Sequence, residues 1–217
     1  MGFYKFLKTT SLKKDSINDI RFFHDYLIGK HDPRLSSKIV ILMGEAGVGK
    51  TYLAKRFVKS LDLPVLYVGQ EPIKGKHIKT YSSVKNLTKI KFPDNCLIFL
   101  DDLNYLSEEN QYGEMTNDYK RHVLKLLAII KSLPRAGLLI TTNYLDFDSQ
   151  FDDRMDIVIV MEEPNRKTKR KYIKNQYGKF LDIHKINILT NKQKNIPNIT
   201  IQANNIKNRP KNFPRIY

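Results

Sequence analysis

A glycine-rich stretch of the sequence ends in a lysine and a threonine. It reads GEAGVGKT over residues 44–51 and fits the pattern G-x-x-x-x-G-K-[ST]. Glycines let the backbone curl so that its N–H groups face an anion, and the lysine that follows can bridge two phosphates. A hydroxyl after the lysine can ligate Mg²⁺. The stretch therefore predicts a cradle for a nucleoside triphosphate. The apolar run before it and the helical pattern after it argue against a chance match.

The nucleotide-binding prediction covers this cradle and the residue after it. Lys50 is expected to contact the β- and γ-phosphates, and Thr51 is expected to ligate magnesium. ATP and Mg²⁺ are thus the predicted cofactors. The assigned residues are Gly44, Glu45, Ala46, Gly47, Val48, Gly49, Lys50, Thr51 and Tyr52.

Two adjacent carboxylates, Asp101 and Asp102, follow the apolar stretch LIFL at residues 97–100. If that stretch is a buried strand, the pair lies at the carboxyl edge of a sheet, where α/β proteins bind ligands. Asp101 is then predicted to hold Mg²⁺, and Asp102 to polarise the attacking water. The alternative is that the pair only caps the next helix.

Two more polar residues complete the predicted site. Asn143 ends the stretch LLITTN and could hydrogen-bond a water or a γ-phosphate oxygen, although an asparagine that only forms a loop is the alternative. Arg154 precedes the last predicted strand. A guanidinium there can reach the γ-phosphate of a neighbouring subunit, or it can be an ordinary surface cation.

The elements that must position these residues are short apolar strands separated by helical patterns. Such alternation predicts an α/β fold with a five-stranded parallel sheet and helices on both faces. The strands are predicted at residues 38–43, 64–68, 95–100, 136–142 and 157–161. Helices are predicted at residues 17–27, with Ser16 as the N-cap, and at residues 51–61, 119–132 and 166–181.

Charge divides the chain unevenly. The sequence has 217 residues and a net charge of +16, yet residues 165–217 hold 14 Lys and Arg and a single acid, Asp182. We therefore predict an N-terminal helical segment (1–37), a nucleotide-binding core (38–164) and a basic helix and tail (165–217) that is poorly ordered from residue 190. The tail is expected to attract a polyanion such as DNA, and a solvated, solubilising face is the alternative.

Composition excludes several classes of protein. With 41% hydrophobic residues, the chain can fill a core, so wholesale disorder and a low-complexity fibre are excluded. Its apolar runs are too short to cross a bilayer, its N-terminus lacks the apolar core of a secretory signal, and the lone Cys96 cannot form an intrachain disulfide. No membrane association and a cytoplasmic location, in a cell or a host cell, are expected. The histidines and Cys96 show no metal-ligand spacing.

The four motifs, in this order and on these strands, resemble Walker A, Walker B, sensor 1 and the arginine finger of an AAA+ ATPase. The resemblance runs from about residue 16 to residue 164. It implies a homo-oligomer, usually a hexameric ring, with ATP at subunit boundaries and Arg154 acting in trans. The small helical lid that normally follows is expected to be reduced or absent. No sensor 2 arginine is assigned, because Arg166, Arg170, Arg209 and Arg215 all lack a supporting context.

The aspartate pair and the Thr-Thr-Asn sequence resemble the replication-initiator and helicase-loader clade typified by DnaA, DnaC and IstB. That resemblance implies work on DNA, gripped by the basic tail, and a protein partner such as a helicase or an initiator. Superfamily 3 helicases are the near alternative, although residues 133–137 leave little room for their DNA-gripping hairpin. Two hypotheses from different functional classes stay open: a protein-remodelling or assembly motor, and a nucleotide-gated scaffold that scarcely hydrolyses ATP.

One aromatic motif has two interpretations. Tyr67-Val-Gly69 spells a pore-loop sequence but falls on a predicted strand, so we predict that Tyr67 packs in the core. Residues 73–77, which include Lys74 and Lys76, are a better candidate for a pore lining than Tyr67-Val-Gly69, with an ordinary solvated loop as the alternative.

Overall fold

The core of the protein is a parallel sheet of six strands. The computed structural model describes residues 2–32, 38–103, 116–143, 154–177 and residue 186. The strands are β1 (Ile39–Met43), β2 (Val65–Val68), β3 (Ile78–Tyr81), β4 (Asn95–Leu100), β5 (Arg135–Thr142) and β6 (Ile157–Val160). Across the sheet the order is β3-β2-β4-β5-β1-β6, and every neighbouring pair is parallel. The α/β prediction is therefore confirmed.

Helices cover both faces of this sheet. They are α1 (Phe3–Leu7), α2 (Lys14–Leu27), α3 (Lys50–Val58), α4 (Val84–Leu87), α5 (Asn117–Ser132) and α6 (Arg166–Tyr177). Apolar side chains of α1, α2 and α3 pack in the core on one face, and those of α4 and α5 pack in the core on the other. On the first face, the rings of Phe23 and Phe57 stack with centroids 5.4 Å apart and so join α2 to α3.

The apolar run in β1 is explained by its place between two cores. Ile39 and Ile41 pack in the core beneath α4 and α5, whereas Val40 and Leu42 pack in the core beneath α1, α2 and α3. Successive side chains of a strand point to opposite faces, so a strand buried on both sides needs no polar alternation. Tyr67 on β2 is likewise fully buried, as its place in the strand predicted.

The prediction of five strands is wrong, because β3 was not recognised. Its sequence, IKTY, contains no apolar run, and the side chains of Lys79 and Thr80 are exposed. β3 is an outer strand that pairs only with β2, so the burial that marks central strands is missing from its sequence. The segment 73–77 leads directly into this strand.

Several helix boundaries also differ from prediction. Helix α2 begins at Lys14, and its N-cap, Lys13, makes no side-chain capping bond, so Ser16 lies inside the first turn. Helix α3 ends at Val58, short of residue 61. Helix α1 was not predicted, because five residues are too few to display a helical period.

The C-terminal part of the chain is described only as far as α6, apart from residue 186. Helix α6 begins at Arg166, as predicted, whereas residues 178–181 of the predicted helix and the tail from residue 190 lie outside the described residues. The domain division and the reduced lid stay predictions. Within the described part of the chain, no helix has the length and apolarity that crossing a bilayer requires.

Candidate functional site

The ends of three neighbouring strands bring the predicted site together. β4, β5 and β1 lie side by side in the sheet, and all run in the same direction. Gly44 follows β1, Asp101 follows β4 and Asn143 follows β5, so the three positions share one edge of the sheet. This is the carboxyl edge, where parallel α/β sheets bind their ligands.

The loop between β1 and α3 depends on glycine. Gly44 has a φ of +150°, and a Cβ placed on it would lie 2.3 Å from the carbonyl oxygen of Met161. Gly49 caps α3 with a left-handed φ of 104° and contributes no side chain to the cap. The loop can therefore approach a ligand closely with its backbone at the start of α3, where helix N–H groups favour an anion.

Lys50 lies inside this loop and is 8% exposed. Its Nζ donates hydrogen bonds to the carbonyl oxygens of Gly44 (2.6 Å) and Glu45 (2.8 Å) and to Oδ1 of Asn143 (2.8 Å). Burial lowers the pKa of Lys50, and the negative charges of Asp102 and Asp101 partly offset that effect. An ammonium group has three protons, so a phosphate must replace at least one of these acceptors.

Asp101 is 6% exposed and accepts hydrogen bonds from hydroxyl groups of other elements. Its Oδ1 accepts from Thr51 Oγ1 (2.7 Å) and from Thr141 Oγ1 (2.8 Å). The Tyr67 hydroxyl lies 3.3 Å from Oδ2 and 2.8 Å from the carbonyl oxygen of Glu71. Thr51 and Asp101, the two predicted magnesium ligands, are thus in direct contact.

Asp102 is half-buried and has a positive φ of 61°. Its backbone N–H donates to Thr141 Oγ1 at 2.7 Å. Asn143 is exposed at the same edge and reaches the site through its bond to Lys50. The structure therefore places Lys50, Thr51, Asp101 and Asn143 in one connected group, with Asp102 joined to it through Thr141.

Arg154 stands apart from this group. It lies three residues before β6 and is partly exposed. Among the hydrogen bonds and ion pairs of the described residues, none joins Arg154 to the cradle or to the aspartates. Its predicted role in trans requires a neighbouring subunit and stays a prediction.

A cavity of about 420 Å³ opens beside the cradle, within the size range of small-molecule pockets. Its wall combines the α1–α2 loop, the start of α3, the segment after β6 and one side of α6. The lining residues are Phe6, Thr9, Thr10, Ser11, Leu12, Lys13, Val48, Gly49, Tyr52, Leu53, Arg56, Val160, Met161, Glu162, Pro164, Thr168, Lys171 and Tyr172. Of these, only Val48, Gly49 and Tyr52 were expected from the sequence.

Aromatic contacts tie the walls of the cavity together. The rings of Tyr52 and Tyr172 meet edge to face with centroids 6.1 Å apart, which joins α3 to α6. The Arg56 guanidinium lies 5.3 Å from the ring centroid of Phe6 and 5.7 Å from that of Tyr52. No local motif marks Tyr172 or the loop 9–13, since their relevance comes only from packing against the cradle.

These features suit a nucleotide with its metal. The glycine loop offers a cradle that a Cβ would obstruct, Lys50 supplies a buried cation, and the touching oxygens of Thr51 and Asp101 are the hard donors that Mg²⁺ prefers. The adjoining cavity offers aromatic and aliphatic walls for a base and ribose.

Comparison with solved structures finds the same fold in other proteins. Domain III of the Thermotoga maritima replication initiation protein DnaA is 14% identical, with a TM-score of 0.58, 89% of this chain covered and 83% of that chain. The Thermotoga maritima RuvB Holliday junction branch migration motor is 14% identical, with a TM-score of 0.60 and coverages of 88% and 60%. A replication initiator DnaA bound to AMPPCP and single-stranded DNA is 19% identical, with a TM-score of 0.60 and coverages of 94% and 63%. This chain therefore spans less than two thirds of the last two.

No curated protein matches the sequence. A family match is found, to the ATPase family associated with various cellular activities (AAA), over residues 40–163, which is more than half of the chain. The matched range includes the glycine loop, the aspartate pair, strand β5 and Asn143, which follows it. Because sequence match, sheet and site agree, this chain belongs to the AAA family and is a P-loop ATPase.

Proposed function

We propose that the protein assembles into a ring and couples Mg·ATP hydrolysis to work on DNA, in the manner of a replication initiator or helicase loader. The observation that carries the DNA part of the proposal is a long exposed run of positive charge on a structured part of the molecule. The loop-and-cavity geometry carries the nucleotide part. Similarity to DnaA and RuvB folds is consistent with both.

At the nucleotide, the cradle binds the phosphates and the neighbouring cavity binds the base and ribose. Lys50 transfers some of its hydrogen bonds from backbone carbonyls to phosphate oxygens. Thr51 and Asp101 would hold magnesium, which would supply positive charge to offset the charge on the transferred phosphoryl group. Lys171 is the cation that α6 presents to the cavity, so it is the candidate for a phosphate contact from that helix.

For hydrolysis, the side chains at the sheet edge orient a water molecule. Asp102 accepts a hydrogen bond from the attacking water and polarises it, and Asn143 fixes the water or a γ-phosphate oxygen through its amide. Arg154 of one subunit stabilises the charge that develops at the site of its neighbour. Asp102 is shorter than the glutamate usual at this place in related ATPases, so slow, partner-stimulated turnover is expected.

The positive surface is formed by β3, α4 and the segments beside them. Between Glu71 and Asp94 the sequence contains six lysines and no acid. All six are exposed, namely Lys74, Lys76, Lys79, Lys85, Lys89 and Lys91. Such a field attracts a phosphate backbone, and each lysine that reaches a phosphate releases a counterion. Helix α6 also carries no acid and six basic residues, one of which, Lys169, is buried and paired with Glu163.

The connection between α5 and β5 favours an initiator or loader over a superfamily 3 helicase. Helix α5 ends at Ser132 and β5 begins at Arg135, so two residues join them. A hairpin that grips DNA cannot be built in two residues. The strand then runs without interruption to the Thr-Thr-Asn sequence.

Binding of labelled single- and double-stranded DNA across a salt series tests the DNA proposal. Affinity should fall steeply with salt, and Lys74→Glu/Lys76→Glu should reduce the slope by about two. Lys5→Glu/Lys8→Glu makes the same change of net charge at exposed positions of α1 and its C-cap, and should retain the wild-type slope. Salt-independent or absent binding by the wild type would remove the DNA proposal and favour a protein-remodelling motor.

The assembly proposal is tested separately through Arg154. Arg154→Ala should bind nucleotide normally but turn over slowly, and mixing it with Lys50→Ala should restore some activity, because a mixed interface can combine an intact cradle with an intact arginine. Sedimentation with a nonhydrolysable ATP analogue gives the subunit number. Full turnover by Arg154→Ala would reassign this residue to the surface.

A further inference from the structure

We propose that Thr141 is a positioning residue that fixes both aspartates of the pair for hydrolysis. This inference rests on the proposed function of Asp101 and Asp102 and names what holds them. Thr141 lies on β5 and is 1% exposed. Its single hydroxyl contacts the carboxylate of one aspartate and the backbone of the next.

The hydroxyl of Thr141 acts both as a hydrogen-bond donor and as a hydrogen-bond acceptor. As donor it gives its one proton to Asp101 Oδ1 at 2.8 Å, and as acceptor it takes the backbone N–H of Asp102 at 2.7 Å. Water cannot readily replace it, because the side chain is buried. One side chain on a central strand therefore links the two aspartates and sets the orientation of each relative to the other.

The hydrogen bond between Thr141 and the Asp102 N–H lies where the regular backbone hydrogen bonding between β4 and β5 ends. Leu100 pairs with Ile140, after which β5 continues to Thr142 while β4 has ended. Asp101 still donates its N–H to the carbonyl oxygen of Val68, at 2.9 Å, on the other side of β4. The N–H of Asp102 turns instead to the Thr141 hydroxyl, so a side chain takes the place of the next backbone acceptor.

The turn at Asp102 needs such an anchor. Asp102 has a φ of 61°, and it is the one non-glycine residue of the described chain with a positive φ. A residue with a Cβ adopts this conformation only where its surroundings favour it, although aspartate tolerates it better than most. The hydrogen bond to Thr141 favours this conformation and so fixes the backbone from which the Asp102 carboxylate extends.

The other hydroxyls around Asp101 are less suited to this task. Thr51 also donates to Oδ1, but it belongs to the cradle and is itself a predicted magnesium ligand, so that contact changes when the ion binds. Tyr67 has one proton and lies closer to the Glu71 carbonyl oxygen, at 2.8 Å, than to Asp101 Oδ2, at 3.3 Å. Thr141 is therefore the hydroxyl that can hold Asp101 both before and after nucleotide binding.

The test compares three variants of the full chain. Thr141→Val keeps the shape and removes the hydroxyl, and Thr141→Ser keeps the hydroxyl and removes the methyl group. Thr88→Val is the matched control, because Thr88 is also buried and donates its hydroxyl proton to a backbone carbonyl, that of Lys85, on α4 away from the site. Turnover is measured by phosphate release, and affinity by titration with a fluorescent ATP analogue. The Mg²⁺ concentration that gives half of the thermal shift with a nonhydrolysable analogue provides a readout independent of turnover.

For Thr141→Val we expect kcat to fall about 10- to 100-fold and the Mg²⁺ requirement to rise, with little change in analogue affinity at saturating Mg²⁺. Thr141→Ser should keep most of the wild-type kcat, and Thr88→Val should match the wild type in both readouts. A wild-type kcat and Mg²⁺ requirement in Thr141→Val would overturn the inference. If the valine variant does not fold, the serine variant decides: retained turnover supports the inference, and a folded but inactive serine variant overturns it.

The same experiment separates this inference from the proposed function. If the wild type hydrolyses ATP and Asp101→Asn does not, while Thr141→Val behaves as the wild type, then only the positioning role fails. If the wild type binds no analogue at any Mg²⁺ concentration, the assigned nucleotide site fails, and the positioning role fails with it.

Discussion

Replacing Lys50 by methionine should remove nucleotide binding and leave the fold almost as stable as before. Methionine keeps a long apolar side chain in the buried position and removes the charge. In the wild type Lys50 is 8% exposed, and its ammonium group faces two backbone carbonyls and Asn143. The question is whether the ammonium group contributes to the stability of the empty site or is kept there for the ligand.

Whether the Lys50 charge stabilises or destabilises the fold follows from its pKa, which burial lowers from the ordinary value of 10.5. A lysine with a lowered pKa disfavours its charged form in the folded state, so the charge destabilises the fold at neutral pH. This penalty is complete below the folded-state pKa and is lost as pH rises from there to 10.5. Hydrogen bonds to a charged group contribute about 1.5–3 kcal/mol each, but desolvation of a buried ion opposes them by several kcal/mol. The two effects nearly cancel, so we expect the variant to differ from the wild type by no more than about 1 kcal/mol.

Thermal melts without ligand measure the stability of the fold, and melts with a nonhydrolysable ATP analogue and Mg²⁺ measure nucleotide binding. At one hundred times its Kd, a ligand stabilises the folded state by about 2.7 kcal/mol, which raises the Tm of a chain this long by roughly 5–11 °C. Lys50→Met should show no such increase. Lys59→Met, at the exposed C-cap of α3, is the control and should retain the full shift. Loss of several kcal/mol in the ligand-free Lys50→Met protein would refute the reasoning, because it would show that the ammonium group supports the fold.

Three further predictions concern the scaffold. Gly44→Ala should lower stability by about 2–4 kcal/mol, because its Cβ would meet the Met161 carbonyl oxygen at 2.3 Å in a backbone with φ +150°; an unchanged urea midpoint would contradict this. Burial lowers the pKa of His24 from 6.5, so its contribution to stability is complete above pH 6.5 and declines as pH falls from there through the folded-state pKa. Melts from pH 7.5 to 5 should therefore show a steeper loss for the wild type than for His24→Gln, and parallel curves would count against the assignment. Cys96 is fully buried and its pKa is raised to about 12, so a thiol reagent at pH 8 should modify it only after unfolding, and rapid labelling of the native protein would contradict its burial.

What the sequence could predict was set by local rules. The glycine cradle was recognisable because only glycine fits its backbone, and the central strands because burial on both faces requires an apolar run. The aspartate pair and Asn143 could be placed at one edge because parallel strands end together. Strand β3 was not predicted because its sequence has no apolar run: its two end residues are partly buried and its two middle residues are exposed.

The local sequence therefore determined the chemistry that this chain carries, and the tertiary structure decided which groups meet. Lys50 contacts Asn143 across 93 positions of sequence, and Thr51 contacts Asp101 across 50. The cavity wall unites the α1–α2 loop with α6, and Thr141 meets the aspartates only because β5 lies beside β4. Contacts of this kind depend on strand order and helix packing, which are set by the whole core, so no short stretch of sequence records them.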